Sequence, residues 1–524
     1  MQLSSHDLSQ LDEEQLLKLP EEALRRLSIR LLNDLKEARE RLNRNSGNSS
    51  RPPSSEAPWE KERSSVESGD VFEPTEDAEC EDEGVSDPVK EPERESQGVE
   101  EKAANDQTRK AGKQPGAPGF GRQQSLPVTA YEEHVPENCA RCDRCLDAND
   151  KKAWTAFDTV DIQMVEENLP GLHLTNTRHT YYEVSCVCGH TTRTEPYRSI
   201  VDDTLPSIVC SQWRLVGPEL AGLIVCLAYR MRASRQLIAE FLKDWLNLQL
   251  SVGTINNTIH ETGAAAMPIE NELIQTVKES PLTHGDETSW RERAAFLWLW
   301  VFSTATVTAY WIASRSAELI NNLFDEGYSG WLMSDGYGVY RKFQNRLRCW
   351  AHLMRKAQGL KESLDRQARQ FGTQTLELFG GLITAVRKAR GSPPDIPLTQ
   401  TYQAQLADYR CLCEHMKTVF HKPTRDLANE MLNDWDAIFR VLQHPELPLT
   451  NNEAERALRH WVILRKISYG TRTEDGSRVF AILISVIETC RKRQQSPWIY
   501  LAVVIRNQRA GLPVPKLPVP KGSE

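Results

Sequence analysis

The 524-residue chain contains no apolar stretch long enough to cross a bilayer. Its longest, Phe296–Ala313, is interrupted by Ser, Thr and Tyr, whereas a span needs ~20 mainly apolar residues. The opening residues, MQLSSHDLSQLDEEQ, are polar and acidic. They lack the basic-then-apolar order of a secretion signal, so a reducing, cytoplasmic setting is expected. No internal repeat stands out. The chain also lacks the net positive charge usual in a nucleic-acid binder, since its formal charge is −9. That lack is local. Between Glu60 and Glu101 there are 17 acidic and 4 basic residues, which leaves the rest of the chain at +4. Cysteine is plentiful, with 12 in all and five of them between Cys139 and Cys188. In a reducing compartment, clustered cysteines point to metal before disulfide.

The length allows two to four domains at ~100–200 residues each. Residues 1–45 form a helical or coiled-coil segment: Leu17, Leu24, Leu31 and Ala38, with Leu35 and Leu42, fall on a heptad pattern in which Glu21 and Ser28 are defects. Residues 46–108 form a flexible linker running into the acidic tract, and their composition predicts disorder. Residues 109–200 begin with RKAGKQPGAPGFGR, a segment too rich in glycine and proline for a regular element. Its Arg109, Lys110, Lys113 and Arg122 are placed to neutralise phosphates. A small zinc-binding unit follows. Cys139-x-x-Cys142 and Cys186-x-Cys188, separated by one folding unit, predict one closed tetrahedral Zn²⁺ site, with Cys145 and His190 as alternative ligands. Residues 201–275 are helical and read either as a helix-turn-helix, whose last helix enters a major groove, or as a packing unit.

From 276 to 356, Thr283–Trp290, Phe296–Ser303 and Val307–Ala313 predict three successive strands. A helix at Ser316–Phe324 and a short strand at Gly330–Met333 follow. Asp286 and Asp335 then sit at or just past strands that can be neighbours in one sheet, an arrangement suited to holding two divalent ions. Residues 357–445 are helical, with a turn at ARGSPPDIP. Residues 446–495 supply a basic helix and an apolar helix. Residues 496–524 end in LPVPKLPVPKGSE, a proline-rich tail with no core-forming capacity.

In order, HGDETSW, SDGYGVY, CWAHLMRKA and NNEAERALR, together with the linker and cysteine motifs, resemble the transposases of the insertion-sequence-66 family. The resemblance implies an α/β RNase H-like catalytic core interrupted by a helical insertion before the last carboxylate. Ahead of that core it implies a coiled-coil helix, the acidic linker, the zinc-binding unit and the helical region. The implied activity is a Mg²⁺-dependent DDE transposase with two Mg²⁺ per site, held by Asp286, Asp335 and a third acid. Glu455 and Glu453 both compete for that role, and each is the N3 residue of a possible capping box, with Asn452 or Thr450 as N-cap respectively. Glu455 borders the face expected to pack on the sheet, and the family motif favours it. The resemblance further implies that Arg456, Arg459, Arg465 and Lys466 contact DNA. Its expected partners are inverted-repeat ends, target DNA, a second copy of the chain and small accessory proteins. A structure-specific nuclease on the same fold, or a decayed end-binding protein, are the alternatives.

Overall fold

The computed structural model describes residues 20–44, 48, 126–163, 172–324 and 328–522. The acidic tract, the segment carrying Arg109, Lys110, Lys113 and Arg122, and Leu17 lie outside them. Helix α1 (Glu21–Leu42) carries i,i+4 ion pairs from Glu21 to Arg25, Glu22 to Arg26 and Glu37 to Arg41. Its heptad residues Leu24, Leu31, Leu35 and Leu42 remain exposed.

Next come β1 (Ala130–His134), β2 (Lys152–Gln163), β3 (His173–Ser185) and β4 (Thr191–Arg193), with β3 in the middle. Strand β1 runs parallel to β3, while β2 and β4 run antiparallel to it. A hairpin, β5 (Arg198–Ile200) and β6 (Val209–Ser211), leads to helices α2 (Pro218–Tyr229), α3 (Arg235–Leu246), α4 (Val252–Ala266) and α5 (Ile269–Glu279). Ser234 and Ser251 cap α3 and α4 by accepting from Leu237 N and Thr254 N. Helix α4, read from sequence as either a groove-reading helix or a packing unit, is largely enclosed from Ile255 onward, and only its first turns show Val252, Gly253 and Asn257 to solvent. Small residues permit this: a Cβ at Gly263 would lie 2.6 Å from Val479. Glu261, also in α4, pairs with Arg214 and Arg509 at 3.0 and 2.9 Å.

The second sheet holds β7 (Leu282–Glu292), β8 (Ala295–Ser303), β9 (Thr308–Ala313), β10 (Trp331–Ser334) and β11 (Arg346–Arg348), in the order β11-β10-β7-β8-β9. Strands β7, β8 and β9 form an antiparallel meander, and α6 (Ala317–Leu323) carries the chain back so that β10 runs parallel to β7 and β11 parallel to β10. All four expected strands and the helix are present with ends shifted by at most two residues.

Beyond β11 come α7 (Trp350–Lys361), α8 (Arg366–Gly391), α9 (Leu398–Thr401), α10 (Gln403–Met416), α11 (Lys422–Asn433) and α12 (Trp435–Phe439). These build a core of their own with Met333, Leu347 and Cys349. Leu332 joins the main core instead, as the two-residue period of a strand requires. The helical unit therefore begins at Trp350, before the expected 357, because α7 straddles that boundary. The chain returns to the sheet with α13 (Asn452–Ser468), α14 (Glu474–Lys492) and α15 (Pro497–Arg509). Residues expected in the separate segments 201–275, 276–356 and 446–495 share one hydrophobic core.

The proline-rich tail departs from expectation. Leu517 is 4% exposed and belongs to the main core. Proline offers no N–H, but the tail's carbonyls remain strong acceptors. Tyr500 Oη donates to Pro515 O, Arg493 Nη1 to Pro518 O and Gln495 Nε2 to Val519 O, all within 2.9 Å.

Candidate active site

The placement of Asp286 and Asp335 follows from strand register. Leu282, Thr283 and His284 on β7 pair with Trp331, Leu332 and Met333 on β10. Continued by two residues, that offset sets Asp286 beside Asp335, and parallel neighbours lie about 4.8 Å apart. Each carboxylate is oriented locally: Asp286 Oδ1 accepts from Glu287 N and Asp335 Oδ1 from Tyr337 N, both at 2.9 Å. Burial holds the Asp286 carboxyl well above the usual range, and the neighbouring charges of Asp335, Glu287 and Glu455 push it the same way. Acids at the end of β10 and the start of α13 therefore lie close enough to act on Asp286. Like charges brought together this way favour a bound cation.

Glu455 stands in the first turns of α13, where its Oε1 lies 3.4 Å from Arg355 Nη2 and 3.5 Å from His352 Nδ1. Ligand atoms of Cys349, His352 and Glu455 lie within 4.8 Å of one another. Burial, followed by the charges of Arg355, Arg348 and Lys356, pushes His352 down to about 3, so its imidazole is neutral. Glu453 is differently engaged, in an ion pair with Lys492 of α14 at 2.7 Å. Both capping-box registers fail. The N-cap is Asn451, and no side-chain bond caps the helix. Counting from Asn451 puts Ala454, not a glutamate, at N3.

Asn451 is fully buried because its side chain serves the sheet instead. Nδ2 donates to Gly285 O at 2.8 Å and Oδ1 lies 3.1 Å from His284 Nδ1. Its N–H meets Cys349 Sγ at 3.2 Å. This residue ties the start of α13 to the strand carrying Asp286. The sequence shows it only as the first of two asparagines, with no signal for which one is buried.

Glu287 is a second residue that sequence reasoning missed. Its side chain is 1% exposed and pairs with Arg315 at 2.7 Å, while Tyr340 Oη donates to it at 3.2 Å. Arg315 is itself held between the rings of Trp298 and Tyr337, 4.2 Å from each centroid. Burial first, then Asp335, raises Glu287 to about 7. No local pattern foretells this, because Arg315 reaches Glu287 only after the chain has gone through β8 and β9.

Of the four cations expected on α13, Arg456, Arg459 and Lys466 are exposed. Arg465 is turned inward: Nη1 donates to Thr288 Oγ1 at 3.0 Å and Ser289 Oγ at 2.8 Å, tying α13 to β7. Its guanidinium is thus engaged with protein.

The cysteines group as expected in space. Cys139 Sγ is 3.7 Å from Cys188 Sγ, and Cys142 Sγ is 3.6 Å from Cys186 Sγ; all four lie within 4.8 Å of one another. A tetrahedron with Zn–S bonds near 2.3 Å has edges of roughly 3.8 Å, so the spacing fits the ion. The Arg141 N–H, acting against burial, brings the Cys139 thiol down to about 6. Cys145 turns away to the carbonyl of Leu146, and His190 contributes a backbone carbonyl to Cys186 N. Neither belongs to the cluster.

Among the described residues, no helix is long and apolar enough to cross a membrane. A family model described as Transposase IS66 family matches residues 214–479, a stretch that includes Asp286, Asp335 and Glu455. The chain is also similar to three uncharacterized proteins of Sinorhizobium fredii. It is 29% identical to y4jO over 32% of this chain and half of that protein, and 22% identical to y4qI over 79% of this chain and 78% of that protein. It is 26% identical to y4hP over 55% of this chain and 59% of that protein.

Proposed function

This chain belongs to the Transposase IS66 family, and from that premise we propose that it is an RNase H-like DDE transposase that cleaves the ends of an insertion sequence and joins them to target DNA. The strand order β11-β10-β7-β8-β9, with three antiparallel strands and two parallel ones, supports the fold assignment. One observation carries the chemistry: Asp286, Asp335 and Glu455 come from three separated elements, and the charges of the other two add to burial in raising Asp286. Oxygen donors of this kind suit Mg²⁺. Two such ions held there would supply Lewis-acid activation of the attacking water or 3′-hydroxyl and stabilisation of the leaving oxygen.

The chain's own residues then have distinct tasks. Asp286 from within β7 and Asp335 from the end of the adjacent β10 would hold the cations, and Glu455 would hold them from the start of α13. Arg355 orients Glu455, with neutral His352 packed beside it. Asn451 fixes α13 against β7. Arg456, Arg459 and Lys466 bind DNA phosphates, together with Arg109, Lys110, Lys113 and Arg122. Arg465 acts as a tie within the fold, given its bonds to Thr288 and Ser289. Cys139, Cys142, Cys186 and Cys188 hold one structural Zn²⁺, whose thiolate bonds stabilise a unit with little core of its own. The exposed heptad leucines of α1 pair two copies on paired ends. Target DNA and small accessory proteins complete the assembly.

The test is an in vitro reaction of the full chain with DNA carrying the element's two ends, a target plasmid and Mg²⁺. Cleaved ends joined through a 3′-hydroxyl to target are expected. Cleavage without joining would move the assignment to a structure-specific nuclease, and end binding without cleavage to a decayed end-binding protein.

A further inference from the structure

The first sheet carries a group of side chains for which DNA cleavage has no use. Register sets Glu132 beside His179 and His134 beside Tyr181 on β1 and β3, with Phe157 of β2 opposite His179. Glu132 and His134, two residues apart on a strand, share a face. The His134 ring stacks on Tyr181 at 4.2 Å between centroids and 16° between planes. The His179 ring stacks on Phe157 at 5.1 Å and 24°. Each imidazole's plane is held by its stacking partner.

In this fixed arrangement three donor atoms converge. His134 Nε2 lies 3.2 Å from His179 Nδ1, and Glu132 Oε2 lies 3.2 Å from that same nitrogen. One nitrogen, His179 Nδ1, cannot serve both neighbours at once. If His179 Nδ1 donates to Glu132, it has no lone pair for His134; if it accepts from His134, it has no hydrogen for Glu132. A cation bound to three lone pairs removes the conflict. For metal–ligand bonds of 2.0–2.1 Å, the edge of a tetrahedron is roughly 3.3 Å, close to both spacings.

We propose that His134, His179 and Glu132 form a second metal site, which binds a borderline first-row dication such as Zn²⁺ and keeps one coordination position open. Two imidazoles and one carboxylate favour such an ion over Mg²⁺, and three protein ligands leave the fourth position to solvent. The site is distinct from the four cysteines. Cys186 is seven residues beyond His179, roughly 23 Å along an extended strand.

The experiment strips the full-length protein of metal under reducing conditions and reloads it with Zn²⁺ in excess Mg²⁺, which competes for the carboxylate site. Bound Zn²⁺ is then counted by elemental analysis. Wild type should retain one ion more than His134→Phe or His179→Phe, both of which keep an aromatic ring on its stacking partner. Glu132→Gln should bind that ion at least about 10-fold more weakly. With Co²⁺, the ion lost in His179→Phe should absorb without a thiolate charge-transfer band. If the four-cysteine reading fails, the difference of one ion between wild type and His179→Phe still stands. Equal metal content and affinity in wild type and all three variants would overturn the site. Should the phenylalanine variants misfold, Glu132→Gln decides alone, since it retains both stacked rings.

Discussion

Two charge clusters flank the β10–β11 edge of the second sheet, and they are balanced in opposite ways. In the first, Asp286, Asp335, Glu287 and Glu455 crowd together, with Arg315 on Glu287 and Arg355 near Glu455. The Asp286 carboxylate accepts only a backbone N–H among the bonds described. In the second, cations are in excess. Asp434 accepts from Arg346 at 2.7 Å and from Arg341 at 3.1 Å, while Glu430 pairs with Arg348 and with Lys356 at 2.6 Å. That second cluster fastens β11 to α11 and the start of α12. Burial opposes charge on both acids, but the outcome differs: Asp286 is raised well above its ordinary value, and Asp434 is lowered by Arg346, Arg348 and Arg341 despite burial. A buried acid paired with cations is scaffold. A crowded acid left short of them has its stability cost offset only when something positive arrives, which marks it as a place for a ligand.

Neutralising one member of each cluster should therefore have opposite consequences. Asp286→Asn should cut Mg²⁺-dependent end cleavage by about 10³-fold or more, at least the worth of one transition-state-stabilising group. In metal-free buffer the same variant should melt higher than wild type, because an amide does not carry the cost of either protonating or charging a buried, crowded carboxyl. Asp434→Asn should cost about 3–5 kcal/mol by leaving Arg346 buried without its partner, while cleavage per folded molecule stays near wild type. Urea titrations and single-turnover cleavage on both proteins check the pair. A destabilised Asp286→Asn, or an Asp434→Asn that folds normally but no longer cleaves, would reverse the assignment of roles.

The contrast also fixes the sign of two pH dependences. Folded Asp286 and Glu287 retain protons that the unfolded chain has released, so the native state binds more protons between their unfolded and folded pKa values. Stability without Mg²⁺ should fall as pH rises from about 4 toward 7, the folded value of Glu287. Saturating Mg²⁺ should flatten that slope, and Asp286→Asn should reduce it. Asp434 works in the other direction. Its contribution is present above its unfolded pKa near 4 and is lost as pH falls through its lower folded value. Urea midpoints measured from pH 3 to 8, with and without Mg²⁺, separate the two.

Asn451 belongs to neither cluster but connects the acidic one to its third member. Asn451→Ala should cost about 1–3 kcal/mol for the buried partners it leaves. It should also slow cleavage by roughly 10²-fold through misplacement of Glu455. Were Asn451 only a helix terminus, stability would fall without a matching loss of rate in the folded fraction.

How much of this was legible in the sequence follows from how local each cause is. The four strands of 282–334 were readable because β-branched and aromatic residues and short turns act within a few positions, and Asp286 and Asp335 came with them. The four cysteines were readable from their paired spacing. Asp434 and Glu430 were not, because their partners lie 74 to 93 residues away on another element. Whether α4 reads DNA or packs was open in the sequence because its alanines and Gly263 show neither strong amphipathicity nor charge; only α14 packing on it reveals the close approach. The proline tail looked unable to pack because its apolar residues are few, yet its carbonyls accept from side chains far upstream.

The smallest expected effect divides the two glutamates of NNEAER. With Asn451 as N-cap, neither depends on a capping box, so the comparison between them is free of helix-start effects. Glu453 is bonded to Lys492 at 2.7 Å, and its side chain is 39% exposed. A partly exposed pair of this kind contributes about 0–1 kcal/mol. Lys492 keeps other partners, since its Nζ also donates to Ser303 Oγ at 2.7 Å and Thr304 O at 2.6 Å. Glu453→Gln should therefore shift the urea midpoint only slightly and leave cleavage within about twofold of wild type, a difference near the precision of such pairs. Glu455→Gln should fold equally well and lose cleavage to the extent of Asp286→Asn. If Glu453→Gln proved the inactive variant on folded protein with matched end binding, the third ligand would move to the α14 side of the helix, and the acidic cluster would have to be redrawn around Lys492.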